Sequence, residues 1–303
     1  LPEQDLPACK SLCLQSIHSL ADNPTLLAAV ELNKHHLPAP FNRSAYGTVE
    51  NITSTTIEQL RHTQARVCIP NESIIVLSGD VEHNQVVAEI EDIVSSWSAG
   101  DTVEIDTVAA TRGAHWIQQD TSQVHISFAF DAPDATDDNS ILESVATSIF
   151  GGATSGRLFT QVRQRRSLCY SVSARYAPSK HYSTVRIHAG TTPERAEETV
   201  QVCLEQLSEL KNGITREEFD RTIQRMKSRI VMHGESTAAR ASALWGDQYA
   251  LGRTRSLAER IEEIEGVCFE DVNAWLSQRK YGEITFVSVG PEELNIDKNA
   301  FHA

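Results

Sequence analysis

The sequence predicts an α+β layer architecture, and three observations predict it. Short β-branched or alternating runs cluster in small groups, at 124–130, 170–176, 184–189 and 284–289. Long stripes at helical spacing, opened by capping signals, follow one another from Thr192 onward. Strands and helices do not alternate one for one, so a doubly wound parallel sheet is not expected.

In chain order, Leu6, Cys9, Cys13, Ile17 and Leu20 form one stripe and predict a helix over 6–20, which the cluster Asp22-Asn23-Pro24 ends. A second helix is expected from Thr25 to Lys34. Thr55 followed by Glu58 reads as a capping box that opens a helix through Leu60 to Ala65. The run Ser73–Ser78 reads as a buried strand, and Val86, Ile90, Ile93 and Trp97 mark the apolar face of another helix. From Ser98 to Gly113 periodicity disappears, which places a join near residue 104. Beyond it, Val124, Ile126, Phe128 and Phe130 alternate as in a half-buried strand. Residues 131–139 form an acidic turn that reads as a solvated helix entry, since it lacks the ligand spacing of a calcium loop. A helix over Ile141–Phe150 and paired strands at 170–176 and 184–189 come next. Thr192-Pro193 starts a helix with Ala196, Val200, Leu204 and Leu207 on its buried stripe. Thr215 with Glu218 and Ser256 with Glu259 cap two more helices, the first carrying Phe219, Ile223, Met226 and Ile230. Ile284–Val289 closes the chain as a strand.

A length of 303 residues suggests two domains, divided here as 1–103 and 104–303. The formal charge of -14 repels phosphate backbones, so no nucleic-acid partner is expected, whereas a basic peptide would be attracted. No run reaches the length of a membrane span, and no signal-peptide pattern opens the chain. The chain does not begin with Met, which fits the removal of an upstream segment. Six cysteines, mostly inside apolar runs, read as reduced core thiols and point to a cytoplasmic setting. Cys9, Cys13 and His18 share a helix but have no further ligand pair for a metal. Asn42, Asn51 and Asn71 begin N-x-S/T triplets, which matter only on a secretory route.

What is absent narrows the chemistry. There is no H-x-x-E-H, no H-E-x-x-H and no other close histidine pair on a helix period. The loop Gly151-Gly152-Ala153-Thr154-Ser155-Gly156 has the wrong spacing for a serine nucleophile elbow and lacks the Lys-Ser/Thr ending of a phosphate loop. Its plain reading is a helix-ending turn in which glycine supplies positive φ. The informative stretch is GGATSGRLFTQVRQRRSLCYSV at 151–172, in which a helix carrying Arg157, Arg163, Arg165 and Arg166 leads to a strand opening at Tyr170. Two readings stand. The arginines form a solvated helix face, or Arg163 and Tyr170 are folded by a turn onto one surface as a carbonyl-binding pair.

That stretch resembles the second-domain signature of the pitrilysin-type (insulinase, mitochondrial-processing-peptidase-like) inverzincin metallopeptidases: a Gly-Gly loop, S-R-L-F, a helix with R-E-x-x-G-L, then Y-S-V. The resemblance extends through DNP at 22–24, Tyr46-Gly47-Thr48, IPNESIIVLSGDVE at 69–82 and REEFDRTIQRMKSRIVMHGES at 216–236. It implies a mixed β-sheet packed against helices, with 1–103 as the C-terminal part of a first family domain and 104–303 as a complete second, substrate-binding one. It also implies that Arg163 and Tyr170 hold a peptide main chain and developing oxyanion opposite a zinc site, beside the loop of Gly151, Gly152, Gly156 and Arg157.

Two departures bear on function. The half-domain in which the family keeps H-x-x-E-H is missing from these residues. LQSIHSLADNP at 14–24 resembles the family's L-Q-E-I segment, with Ser16 at the position of the glutamate zinc ligand, and a neutral hydroxyl cannot replace that carboxylate. Ser167 stands at the signature's Gly, and Gly156 at its Ser. The expectation is a non-catalytic, peptide-binding subunit: no cofactor in this chain, zinc in a partner subunit, a peptide or unfolded protein as substrate, and a homo- or hetero-dimer with a zinc-bearing family member. The alternatives are a fragment of an active zinc metalloendopeptidase whose metal helix lies upstream, and a structural assembly subunit.

Overall fold

The computed structural model describes residues 1–102 and 104–301. Residues before the join form α1 (Leu6–His18), α2 (Pro24–His36), α3 (Val49–Ser54), α4 (Ile57–Val67) and α5 (His83–Val94). After it come β1 (Ala114–Gln118), β2 (Val124–Asp131), α6 (Ser140–Gly151), a π-helix (Phe159–Arg165), β3 (Cys169–Ala177) and β4 (Thr184–Thr191). The chain continues with α7 (Ala196–Glu209), α8 (Arg216–Gly234), α9 (Thr237–Leu251), α10 (Leu257–Glu265), α11 (Phe269–Gln278) and β5 (Thr285–Gly290). The α+β class is confirmed. The strand β1 and the helices α3, α9 and α11 were not legible in the sequence.

The strands form one mixed sheet in the order β1-β5-β2-β4-β3. β1 and β5 are parallel and the remaining pairs antiparallel, with Phe128 opposite both Ile187 and Phe286. Alternation sends Ile126, Phe128, Phe130, Val185, Ile187 and Phe286 to one face, where they meet Val145, Ile149, Phe150, Val200 and Leu207 of α6 and α7. The opposite face is covered over β2 and β5 by α2, whose Ala28 and Leu32 pack on Ala129, Val287 and Val289. β2 is therefore buried on both faces, not half-buried, because a helix from before the join lies on its second side. That face turns polar toward β4 and β3, where Arg186, His188, Ser171 and Ser173 stand.

A buried ion pair ties α11 to α6. The Arg279 guanidinium donates to Glu143 Oε2 at 2.8 Å, Trp275 Nε1 donates to the same oxygen at 3.1 Å, and the Tyr281 ring lies 5.2 Å below the guanidinium carbon. Arg279 also donates to the carbonyls of Asp131 and Lys280, so both ions are satisfied inside the fold.

Several expectations are corrected before the join. Residues 73–78 form no strand: they pair with no other strand among the described residues, and Ile75 is 56% exposed. A strand needs a neighbour for its N–H and C=O groups, and β propensity does not supply one. The helices at α1 and α5 form, but neither fully buries a residue: Leu6, Ile17, Val86 and Ile90 of their apolar stripes are half-buried. The capping box of α4 is Thr56 with Gln59, one residue later than read, and Asn23 caps α2 instead of ending α1. Of the cysteines, only Cys169 and Cys203 are buried; Cys9, Cys13, Cys68 and Cys268 are exposed, the last although its neighbour Val267 belongs to the core and Phe269 packs against it.

Candidate functional site

The candidate site is built where the π-helix meets β3. Leu158 and Val162, both fully buried, anchor the helix under the sheet. Its wider turn is of the kind often found where a side chain must be re-aimed. The helix closes with Ser167 N–H donating to Arg163 O at 3.1 Å and Leu168 N–H to Val162 O at 2.9 Å. Ser167 itself has φ 53, in the left-handed region that favours glycine, and this reverses the chain into β3. The family's glycine at this position thus has a physical reason, and serine occupies it under strain.

At the start of β3 the register shifts between Cys169 and Ser171, so Tyr170 is the extra residue of a bulge. Bulges turn a side chain out of the pleat, and Tyr170 is 60% exposed. The turn and the bulge bring Arg163, Tyr170, Cys169, Thr192 and Arg195 around one cavity of about 280 Å³. Arg163 and Tyr170 therefore share one surface. Among the described residues the Arg163 guanidinium has no hydrogen-bond or ion-pair partner, and lies 4.8 Å from the centre of the Phe159 ring. The Tyr170 hydroxyl is equally unpartnered. Free donors held at a concave site are what a peptide carbonyl or carboxylate requires.

Two neighbours were missed in the sequence. Arg195 donates to the Ser167 carbonyl, bracing the left-handed turn, and lines the cavity. The signal available was Thr192-Pro193, which fixes where the next helix starts and hence where its first arginine lies. Cys169 lines the cavity too, but burial pushes its thiol up to about 11, against the pull of Arg163, so it stays neutral near pH 7 and is no nucleophile.

The glycine-loop residues lie next to this cavity without lining it. The loop does end α6 in a turn, closed by Gly156 N–H donating to Ala153 O at 2.9 Å, but none of Gly151, Gly152 and Gly156 has positive φ, which corrects that part of the reading. They are needed for close approach: a Cβ on Gly151 would meet the Ala174 nitrogen of β3 at 2.6 Å, and one on Gly152 would meet Ser148 Cα at 2.8 Å. Arg157 turns away to Glu218, its Nε and Nη2 reaching the two carboxylate oxygens at 2.7 and 2.9 Å, and it donates to Gly213 O at 2.8 Å. Glu218 also accepts from Thr215 N in the capping box of α8, so Arg157 fastens the loop to that helix. Arg166 lies 3.5 Å from Glu205.

Ser16 is exposed on α1, its hydroxyl donating to Leu12 O at 2.9 Å. Among the described residues no three His, Cys, Asp or Glu side chains are grouped to hold a metal ion. A neutral hydroxyl such as that of Ser16 does not fit as a zinc ligand in place of a carboxylate.

A mixed sheet backed by helices, with Arg163 and Tyr170 together at the head of an edge strand, is the architecture of a peptidase-like domain. Residues 54–226 match the family model of the peptidase M16 inactive domain, and the chain belongs to that family, as the resemblance in its sequence implies. The match runs across residue 104. Relatives include uncharacterized zinc proteases of Streptomyces coelicolor, 23% identical over 90% of this chain and 62% of its own length, and of Bacillus subtilis, 25% identical over 91% and 68%. The chain thus spans less than two thirds of the Streptomyces relative. Solved structures of the same fold include a peptidase M16 inactive domain from Pseudomonas fluorescens, with a TM-score of 0.83, 21% identity and coverage of 98% of this chain and 72% of that one. A protease from Helicobacter pylori has a TM-score of 0.84, 17% identity and coverage of 95% and 73%. Among the described residues no helix is long and apolar enough to cross a membrane.

Proposed function

We propose that this chain is the non-catalytic, peptide-binding member of a peptidase pair, in which Arg163 and Tyr170 hold an extended peptide while hydrolysis takes place at a zinc site on a partner chain. The observation that carries this reading is the pair of unpartnered donors at one cavity beside β3, the edge strand. The exposed edge of β3 offers main-chain N–H and C=O groups to an added strand, and Tyr170, Ser171, Ser173 and Arg175 are exposed along it. The partner is a zinc-bearing dimer mate of the same family, and the substrate a peptide or unfolded protein.

The test is hydrolysis of a casein-type substrate by the purified chain, by a zinc-bearing family member, and by the two mixed. Activity is expected only in the mixture, and Arg163→Ala or Tyr170→Phe should lower kcat/KM there by about 10²-fold, as when a carbonyl-binding donor is removed. Chelator-sensitive hydrolysis by this chain alone would overturn the reading.

A further inference from the structure

The cavity that holds Arg163 and Tyr170 has a second guanidinium in its lining and no carboxylate there. Of the residues that line it, Arg163 and Arg195 are cationic and none is acidic. Arg195 uses Nη1 on the Ser167 carbonyl, which fixes its orientation, and its other N–H donors have no partner among the described residues. Cys169 adds no negative charge, since its buried thiol stays protonated. Glu194, beside Arg195 in the chain, interacts with its charge but is hydrogen-bonded to Thr192 and does not line the cavity, while Glu205 lies 3.5 Å from Arg166 and Glu197 accepts from Asn295 N at 2.8 Å. A main-chain carbonyl needs one or two donors. Two oriented guanidinia in a cavity of about 280 Å³ exceed that need and suit a carboxylate.

We propose that Arg195 is a specificity-determining residue that reads a carboxylate on the bound peptide. Arg163 and Tyr170 take the main chain and Arg195 takes the anion, so the pocket selects an acidic residue in a chain whose net charge of -14 otherwise favours basic ligands. This assignment rests on the peptide-binding reading above. The anion is the side chain of Asp or Glu, or a free C-terminal carboxylate, since both present the same two oxygens.

The test is fluorescence anisotropy of the intact chain with three labelled extended peptides of one parent sequence. One has blocked ends and a central Glu, one has blocked ends and Gln in its place, and one carries Gln with a free C-terminus. The expected result is that one carboxylate peptide binds about tenfold tighter than the blocked Gln peptide, with the preference shrinking as salt is raised. Which of the two it is names the source of the anion. Arg195→Gln should bring the preference to within about twofold, and Arg195→Lys, which keeps the charge but not the fork, should retain part of it. Circular dichroism of each variant separates loss of selectivity from loss of the fold. Equal binding of all three peptides by the native chain, or an undiminished preference in a folded Arg195→Gln, overturns the assignment while leaving the peptide-binding reading intact. Failure of every peptide to bind overturns both.

Discussion

Residues before and after the join near 104 carry the same local signals and reach different ends. Both halves have capped helices with apolar stripes: Thr56 with Gln59 opens α4 just as Thr215 with Glu218 opens α8. After the join, those stripes close on a five-stranded sheet, and Phe128, Phe130, Phe150 and Ile187 are buried. Before it, α1 and α5 leave their stripes at best half-buried, and Ile93 is 76% exposed. α2 found the free face of β2 and β5, and α4 buries Ile57 alone. Local propensity makes a helix, but only a partner surface makes a core.

That contrast can be broken or sharpened by measuring stability. The largest effect is expected from Glu143→Ala, which leaves Arg279 buried without its counter-ion and should cost about 3–5 kcal/mol in denaturant unfolding. Slightly smaller, Ile126→Ala should cost about 2–5 kcal/mol, whereas Ile75→Ala should stay within about 0.5 kcal/mol. An equal loss from the two isoleucines would show that 73–78 is packed after all. An intermediate effect is expected with pH. Burial, reinforced by His125, pushes His188 down to about 4 from its ordinary 6.5. Between those values the unfolded chain binds the proton and the folded one does not. Stability should therefore fall by about 2 kcal/mol as pH drops from 6.5 toward 4, and thermal melts of His188→Asn should lose that component of the slope. The smallest effect is a gain: Ser167→Gly removes a side chain from left-handed backbone and should raise stability by about 0.5–1 kcal/mol.

How much was legible follows the same line. Strands β2 to β5 were readable because β-branched and alternating runs sit between clear turn residues, and α8 and α10 because their capping boxes are local chemistry. The run Ser73–Ser78 was misread for the converse reason, since a strand is defined by what it pairs with, and sequence does not display the pair. The site was legible through Arg163 and Tyr170, which flank a short turn. Arg195 was not, because it lies beyond two strands and arrives only when β3 and β4 pair. The glycines were assigned to a turn by positive φ, yet Gly151 is needed to let α6 approach β3 closely, and that distance is a tertiary fact. Arg157 looked like a member of the site and is instead held by Glu218, which is far along the chain.

The two edges of the sheet give the most direct test of the central claim. β3 and β1 both end the sheet, but only β3 has Arg163 and Tyr170 at its head. Backbone amide shifts should be followed by NMR while an extended peptide is titrated into the chain. The account predicts perturbations along 169–177 that vanish in Arg163→Ala. Perturbations confined to 114–118, or a full β3 response that survives in Arg163→Ala, would contradict it.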